Sequence, residues 1–246
     1  MVDIRNVMRL ELARLFRRSN ILFFFLSVYV FITPIGRFSS SMSQKISTED
    51  MFTGTIESMS IFALLLMSIF MINNIGNELN EGSYRKMLAL GLDKRQYFEG
   101  KLFLILLIAF SITLLCVVVY CMLVIFVVDN SIVDILSGIN LYGALHQFIG
   151  LSFIGLFGLS FIMVFRSRTV GLVFFPFWFF TEFFAFLMTK TKTNILIADY
   201  MPGVLGWSLH NNQINSNQQV LMLIIYSTIF ITTAWYGLVL RDEKNT

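Results

Sequence analysis

Residues 102–128 read LFLILLIAFSITLLCVVVYCMLVIFVV, 27 positions without one charged side chain. A helix rises ~1.5 Å per residue and a bilayer's hydrocarbon core is ~30 Å thick, so about 20 such residues cross it. A helix of a soluble protein keeps one face for water, and this stretch has no such face. Five more apolar stretches lie on either side of it, at roughly 21–36, 52–76, 141–165, 170–188 and 219–240. The first is the shortest, with Pro34 near its end.

The composition agrees with this reading. The chain of 246 residues is 57% hydrophobic and 13% charged, with a mean hydropathy of +0.76. Soluble domains carry about 25% charged residues. A soluble core of this size could not hide 27 Phe, so lipid must solvate many of them. The expected fold is an all-α polytopic membrane protein, one transmembrane domain over 1–246, with six transmembrane helices. The Arg-bearing N-terminus runs into the first apolar stretch with no small-residue cleavage site, so it reads as retained rather than as a cleaved leader.

Lys and Arg are distributed unevenly. Taking alternate segments, 14 fall on the N-terminus, the loop after span two, the turn after span four and the tail, against four on the other three connections. Short cytoplasmic loops carry the excess of Lys and Arg. An even number of spans with both termini cytoplasmic follows.

Two segments on that side have helical patterning. In residues 1–18, Ile4, Val7, Met8, Leu12, Leu15 and Phe16 share one face and five Arg fall mostly elsewhere, as in a helix lying in the interface. An ordinary basic flank is the plainer alternative. The loop 77–101, NELNEGSYRKMLALGLDKRQYFEGK, is too long for a simple connection. Within it Tyr84, Met87, Leu88 and Leu92 form an apolar stripe, Arg85, Lys86 and Asp93 face away, and Gly82 and Gly91 punctuate the two ends. Either lipid or a soluble partner's groove could take such a stripe.

This loop resembles the cytoplasmic loop of the ABC-2 type permeases, the membrane subunits of ATP-binding cassette exporters. The matching residues are Glu78, Glu81–Gly82–Ser83, Met87–Leu88, Gly91, Arg95 and Gly100–Lys101, with Ser83 where the family tends to have Thr. The basic amphipathic N-terminal helix, the six spans and the long outer connection before span six are similar too. The resemblance implies a coupling helix around Gly82–Leu92. Glu78, Glu81, Gly82, Tyr84, Arg85, Met87, Leu88 and Leu92 would engage a soluble ATPase subunit that binds ATP and Mg. It also implies a homodimer or a second related permease.

The remaining polar residues are few. Glu182 lies inside span five; a carboxylate in hydrocarbon faces a cavity or partner, or else sits near an interface. With Phe179 and Phe183 it is a candidate for a pathway or a dimer seam, while lipid contact is the commoner use of aromatic side chains like those of span five. Gly143, Gly150 and Gly158 share roughly one face of span four, which suits close helix packing. Thr189–Gln218 is a long outer segment whose apolar part is too short to span. It reads equally as a re-entrant or interfacial helix pair and as an irregular loop.

Several chemistries are excluded. There is no G-x-x-x-x-G-K-[ST] loop for ATP. Asn80–Glu81–Gly82–Ser83–Tyr84–Arg85 falls one residue short of a Glu-Glu-x-x-x-Arg protease signature, and the histidines it would need on later spans are missing. His146 and His210 lack further ligands at metal spacing, and Cys116 and Cys121 point to different sides of one helix. The function the resemblance implies is export of a hydrophobic or amphipathic substrate, such as an antimicrobial or toxic peptide in a bacterium, by a subunit with no cofactor and no nucleic acid of its own. A non-transporting immunity or scaffold protein is the alternative, though it would not need the long loop.

Overall fold

The computed structural model describes residues 28, 32–34, 47–89, 91–127, 138–192, 196–214 and 216–239. The first helix described at length starts where a side chain can cap it. Ser47 is extended and its hydroxyl accepts from the Asp50 amide at 3.1 Å, satisfying one of the orphan donors at the start of α1 (Thr48–Asn80). The other helices are α2 (Ser83–Ala89), α3 (Lys94–Val127), α4 (Leu141–Phe165), α5 (Arg168–Lys192), α6 (Pro202–His210) and α7 (Asn217–Val239). A 3-10 turn, Leu196–Tyr200, precedes α6, and no strand occurs among the described residues.

Five of these helices, α1, α3, α4, α5 and α7, are long and apolar enough to cross a membrane. The chain is an all-α membrane protein. The expected span 21–36 and the interfacial helix 1–18 lie outside the described residues, apart from residues 28 and 32–34, which are helical. The helices do not stop where the apolar runs stop. α3 begins at Lys94, well ahead of the run that opens at Leu102, because helix termini are set by caps. Here Asp93 precedes the helix and its amide donates to the Gln96 side chain at 3.3 Å.

α4 is the hub and packs on α1, α3, α5, α6 and α7. Small side chains make this possible. A Cβ added at Gly158 would stand 3.0 Å from Ser68 Cα, so the backbones of α1 and α4 nearly touch there. Ser68 Oγ closes the contact by donating to the Ile154 carbonyl at 3.1 Å. Gly150 does the same for α6, since its Cβ would lie 2.8 Å from the His210 nitrogen.

The outward faces are apolar. On α3 the exposed side chains Leu106, Phe110, Leu114, Val118 and Met122 recur every four residues and form one stripe. On α5, Gly171, Phe175, Phe179, Glu182 and Phe186 turn inward, while Phe174, Phe177, Trp178 and Phe184 are exposed. Water would not tolerate such faces and lipid does.

The basic turns gather at one end. Arg168 lies against Gly76 near the end of α1, and the Arg166 guanidinium donates to the Gly237 carbonyl near the end of α7. Arg166 can make the turn between α4 and α5 because it adopts a left-handed φ of 49°. The α2 loop is at this end, and α6 belongs to the other.

Candidate functional site

The loop between α1 and α3 is built by two glycine turns. Gly82 (φ 66°) ends α1 and Gly91 (φ 89°) ends α2, a backbone region open to glycine and costly for other residues. The Leu92 amide donates to the Met87 carbonyl at 3.1 Å and the Gly91 amide to the Leu88 carbonyl at 3.0 Å. This paired closure fixes the end of α2 and turns the chain into α3.

Beneath α2 lies a buried polar cluster. Lys101 Nζ on α3 is 2.7 Å from Glu78 Oε1 on α1, and the Tyr97 hydroxyl donates to Glu78 Oε2 at 2.7 Å. Lys101 Nζ also reaches Asn74 Oδ1 at 3.5 Å and sits 5.0 Å from the centre of the Tyr97 ring. Exposure is 4% for Glu78, 1% for Tyr97 and 0% for Lys101, so the pair is shielded from water and salt. The ring of Tyr84, on α2, meets the ring of Tyr97 edge-on at 4.8 Å.

The expected loop residues therefore separate into two sets. Glu78 and Tyr84 are interior, and Met87, Leu88 and Leu92 are half-buried against the protein's own core. Gly82 is half-buried at its turn, and Glu81 and Arg85 are exposed. The apolar stripe of α2 covers this chain's own body, where the expectation was that lipid or a soluble partner's groove would take it. The face left open carries Glu81, Arg85, Lys86 and Ala89, bordered by Asp93 and by Arg95, which pairs with Glu99 at 2.8 Å.

Sequence reading missed Tyr97, and it took Lys101 as a loop cation and as part of the Gly100–Lys101 match without pairing it with Glu78. A signal was present, because Glu78 and Lys101 are opposite charges on the two helices that flank one loop, both at the edge of an apolar run.

The second polar place is at the other end. α6 lies beside α4 from Gly150 to Ile154, since a Cβ on Gly206 would strike the Ile154 side chain. Those positions are roughly 14–20 Å along α4 from its start at Leu141. A nine-residue helix at that depth does not span and must satisfy its first amides without water. Pro202 has no amide proton, and Met201 provides no side-chain cap. Glu182 of α5 fills the role: Oε2 accepts from the Gly203 amide at 2.6 Å, and the Val204 amide also bonds to the carboxylate. The Trp178 indole donates to Oε1. The described part of this segment is thus a 3-10 turn and a short helix inserted among α1, α4, α5 and α7, not an irregular loop.

Glu182 and Phe179 are 6% and 1% exposed, and both face α6. Phe183 is half-buried, its ring 5.5 Å from that of Trp207. At the far end of α6, His210 is fully buried with Nδ1 3.3 Å from Asn211 Oδ1. Among the described residues no group of His, Cys, Asp and Glu is placed to hold a metal ion. No protein-family model, no curated protein and no solved structure matches the chain.

Proposed function

We propose that this chain is the membrane-spanning permease subunit of an ATP-binding cassette exporter. Six spans carry it through a bacterial plasma membrane, with both termini and the α2 loop in the cytoplasm. A separate soluble ATPase subunit binds ATP and Mg, docks on α2 and drives an outward movement of a hydrophobic or amphipathic substrate such as a toxic peptide. Two copies, or this chain and a related one, complete the path.

The observation that supports this reading is the form of α2. It is a short helix between two long ones, locked by its apolar face, with a charged face turned out. A loop that only connected spans would not need a helix held at both ends. The open face carries Arg85 and Lys86, so the partner's cleft should be acidic at its rim.

Copurification tests this. A tagged chain extracted from its native membrane should bring down a soluble subunit that hydrolyses MgATP. Reversing both cations, Arg85→Glu with Lys86→Glu, should lower recovery by about tenfold or more, because like charges across an interface cost several kcal/mol. Undiminished recovery from that double variant would remove α2 as the docking element. A chain that brings down no ATPase would instead point to a non-transporting scaffold.

A further inference from the structure

We infer that Glu78, Tyr97 and Lys101 are positioning residues that splice the ends of α1 and α3 into one lever and set the orientation of α2 on it. The inference rests on the docking role proposed for α2, and gives that role its mechanical link to the membrane.

Register is the first argument. Asn74 and Glu78 are one turn apart on α1, and Tyr97 and Lys101 one turn apart on α3. The two rows face each other, and α3 occupies both oxygens of Glu78, with Tyr97 on Oε2 and Lys101 on Oε1. Sliding either helix by one residue would break both bonds together. Apolar contacts elsewhere between α1 and α3 are less directional and would tolerate small slips.

Burial is the second argument. A salt bridge removed from water adds little to stability over well-packed apolar side chains, because desolvating two ions offsets their attraction. Stability alone would be served as well by Leu and Met. What an ion pair adds is a unique geometry, and here that geometry lies directly below α2.

Connection is the third. Tyr97 serves both sides of the junction, since its hydroxyl holds Glu78 and its ring holds Tyr84 of α2. A push on α2 therefore reaches α3 through the rings and α1 through the carboxylate. Without the carboxylate, α2 would still be attached but could tilt independently of α1.

Spin labels measure this directly. Ala89→Cys on α2 and Leu114→Cys on α3 are both exposed sites, about 30 Å apart along the α3 axis, in a chain with Cys116→Ala and Cys121→Ser. The otherwise unaltered chain should give one narrow distance. Glu78→Leu with Lys101→Met removes both charges, should keep the thermal stability of the parent, and should lose the single distance in favour of a broad distribution. A double variant as stable and as narrow as its parent overturns the inference. Should that variant not fold, Tyr97→Phe decides. It deletes one hydroxyl and keeps the ring on Tyr84, and it too should broaden the distance; a narrow one overturns the inference. The measurement needs no ATPase. A broadened distance in a chain that captures no ATPase leaves the splice standing and removes the docking role. An unchanged distance in a chain that does capture one removes the splice and leaves docking in place.

Discussion

At the scale of single residues, Glu182 shows how a carboxylate in a membrane span can be a structural part. Its two oxygens replace the water that the first turn of α6 would have had at a surface. Glu182→Leu leaves the Gly203 and Val204 amides without an acceptor and should cost about 2–3 kcal/mol, read as a lower unfolding temperature in detergent and faster exchange of those two amides. An unchanged exchange rate would mean that Glu182 does not cap the helix. Gly203→Ala probes the same contact from the other side. Its Cβ would stand 2.7 Å from Glu182 Oε2 and 3.1 Å from the Phe179 ring, so about 1–3 kcal/mol of overpacking is expected.

At the scale of elements, the close crossing of α1 and α4 depends on what Gly158 lacks. Gly158→Val would push branched atoms into the Ser68 backbone and pull Ser68 Oγ from the Ile154 carbonyl. A loss of about 2–4 kcal/mol is expected in thermal unfolding, against less than about 1 kcal/mol for Leu114→Val on the lipid-facing stripe. Equal losses would mean the crossing is looser than the structure has it. The two sites also mark what the sequence can and cannot say. Five of the six expected spans were legible because lipid demands long apolar runs, and α4 coincides with its run because Asn140 and Arg166 bound it on both sides. The α2 helix was legible from its stripe and its two glycines. Which body covers the stripe was not, because Tyr84, Met87 and Leu88 would show the same period against a partner as against this chain's own core. Glu182 was legible as anomalous, but its acceptor role depends on amides 21 residues away, brought up only by the insertion of α6. Lys101 was counted among the loop cations and matched to the resembled loop, but its burial against Glu78 was not legible, since neither a count of charges nor a motif carries information on burial.

At the scale of the whole molecule, the arrangement puts two different devices at opposite ends of one bundle. The α2 loop, the turn between α4 and α5 and the end of α7 share one end, where Arg85, Lys86, Lys94, Arg95, Arg166 and Arg168 collect. The inserted α6 occupies the other, closed by Glu182 and His210. Both devices rest on α1 and α4, since α2 continues from α1 and α6 packs on α4. A tilt of α1 started at α2 would therefore be felt at α6 through the Ser68–Gly158 crossing, as the proposed exporter role would need. Orientation can be tested without a substrate. Ala89→Cys on α2 and Gln213→Cys beyond α6 are exposed positions at the two ends. In intact cells a membrane-impermeant maleimide should label Gln213→Cys and spare Ala89→Cys, which should react only after permeabilisation. The opposite pattern would put α2 outside, beyond the reach of any cytoplasmic ATPase, and would end the exporter reading. Labelling of both from one side would contradict the bundle itself, because a single helix, α7, separates Gln213 from the end that holds α2.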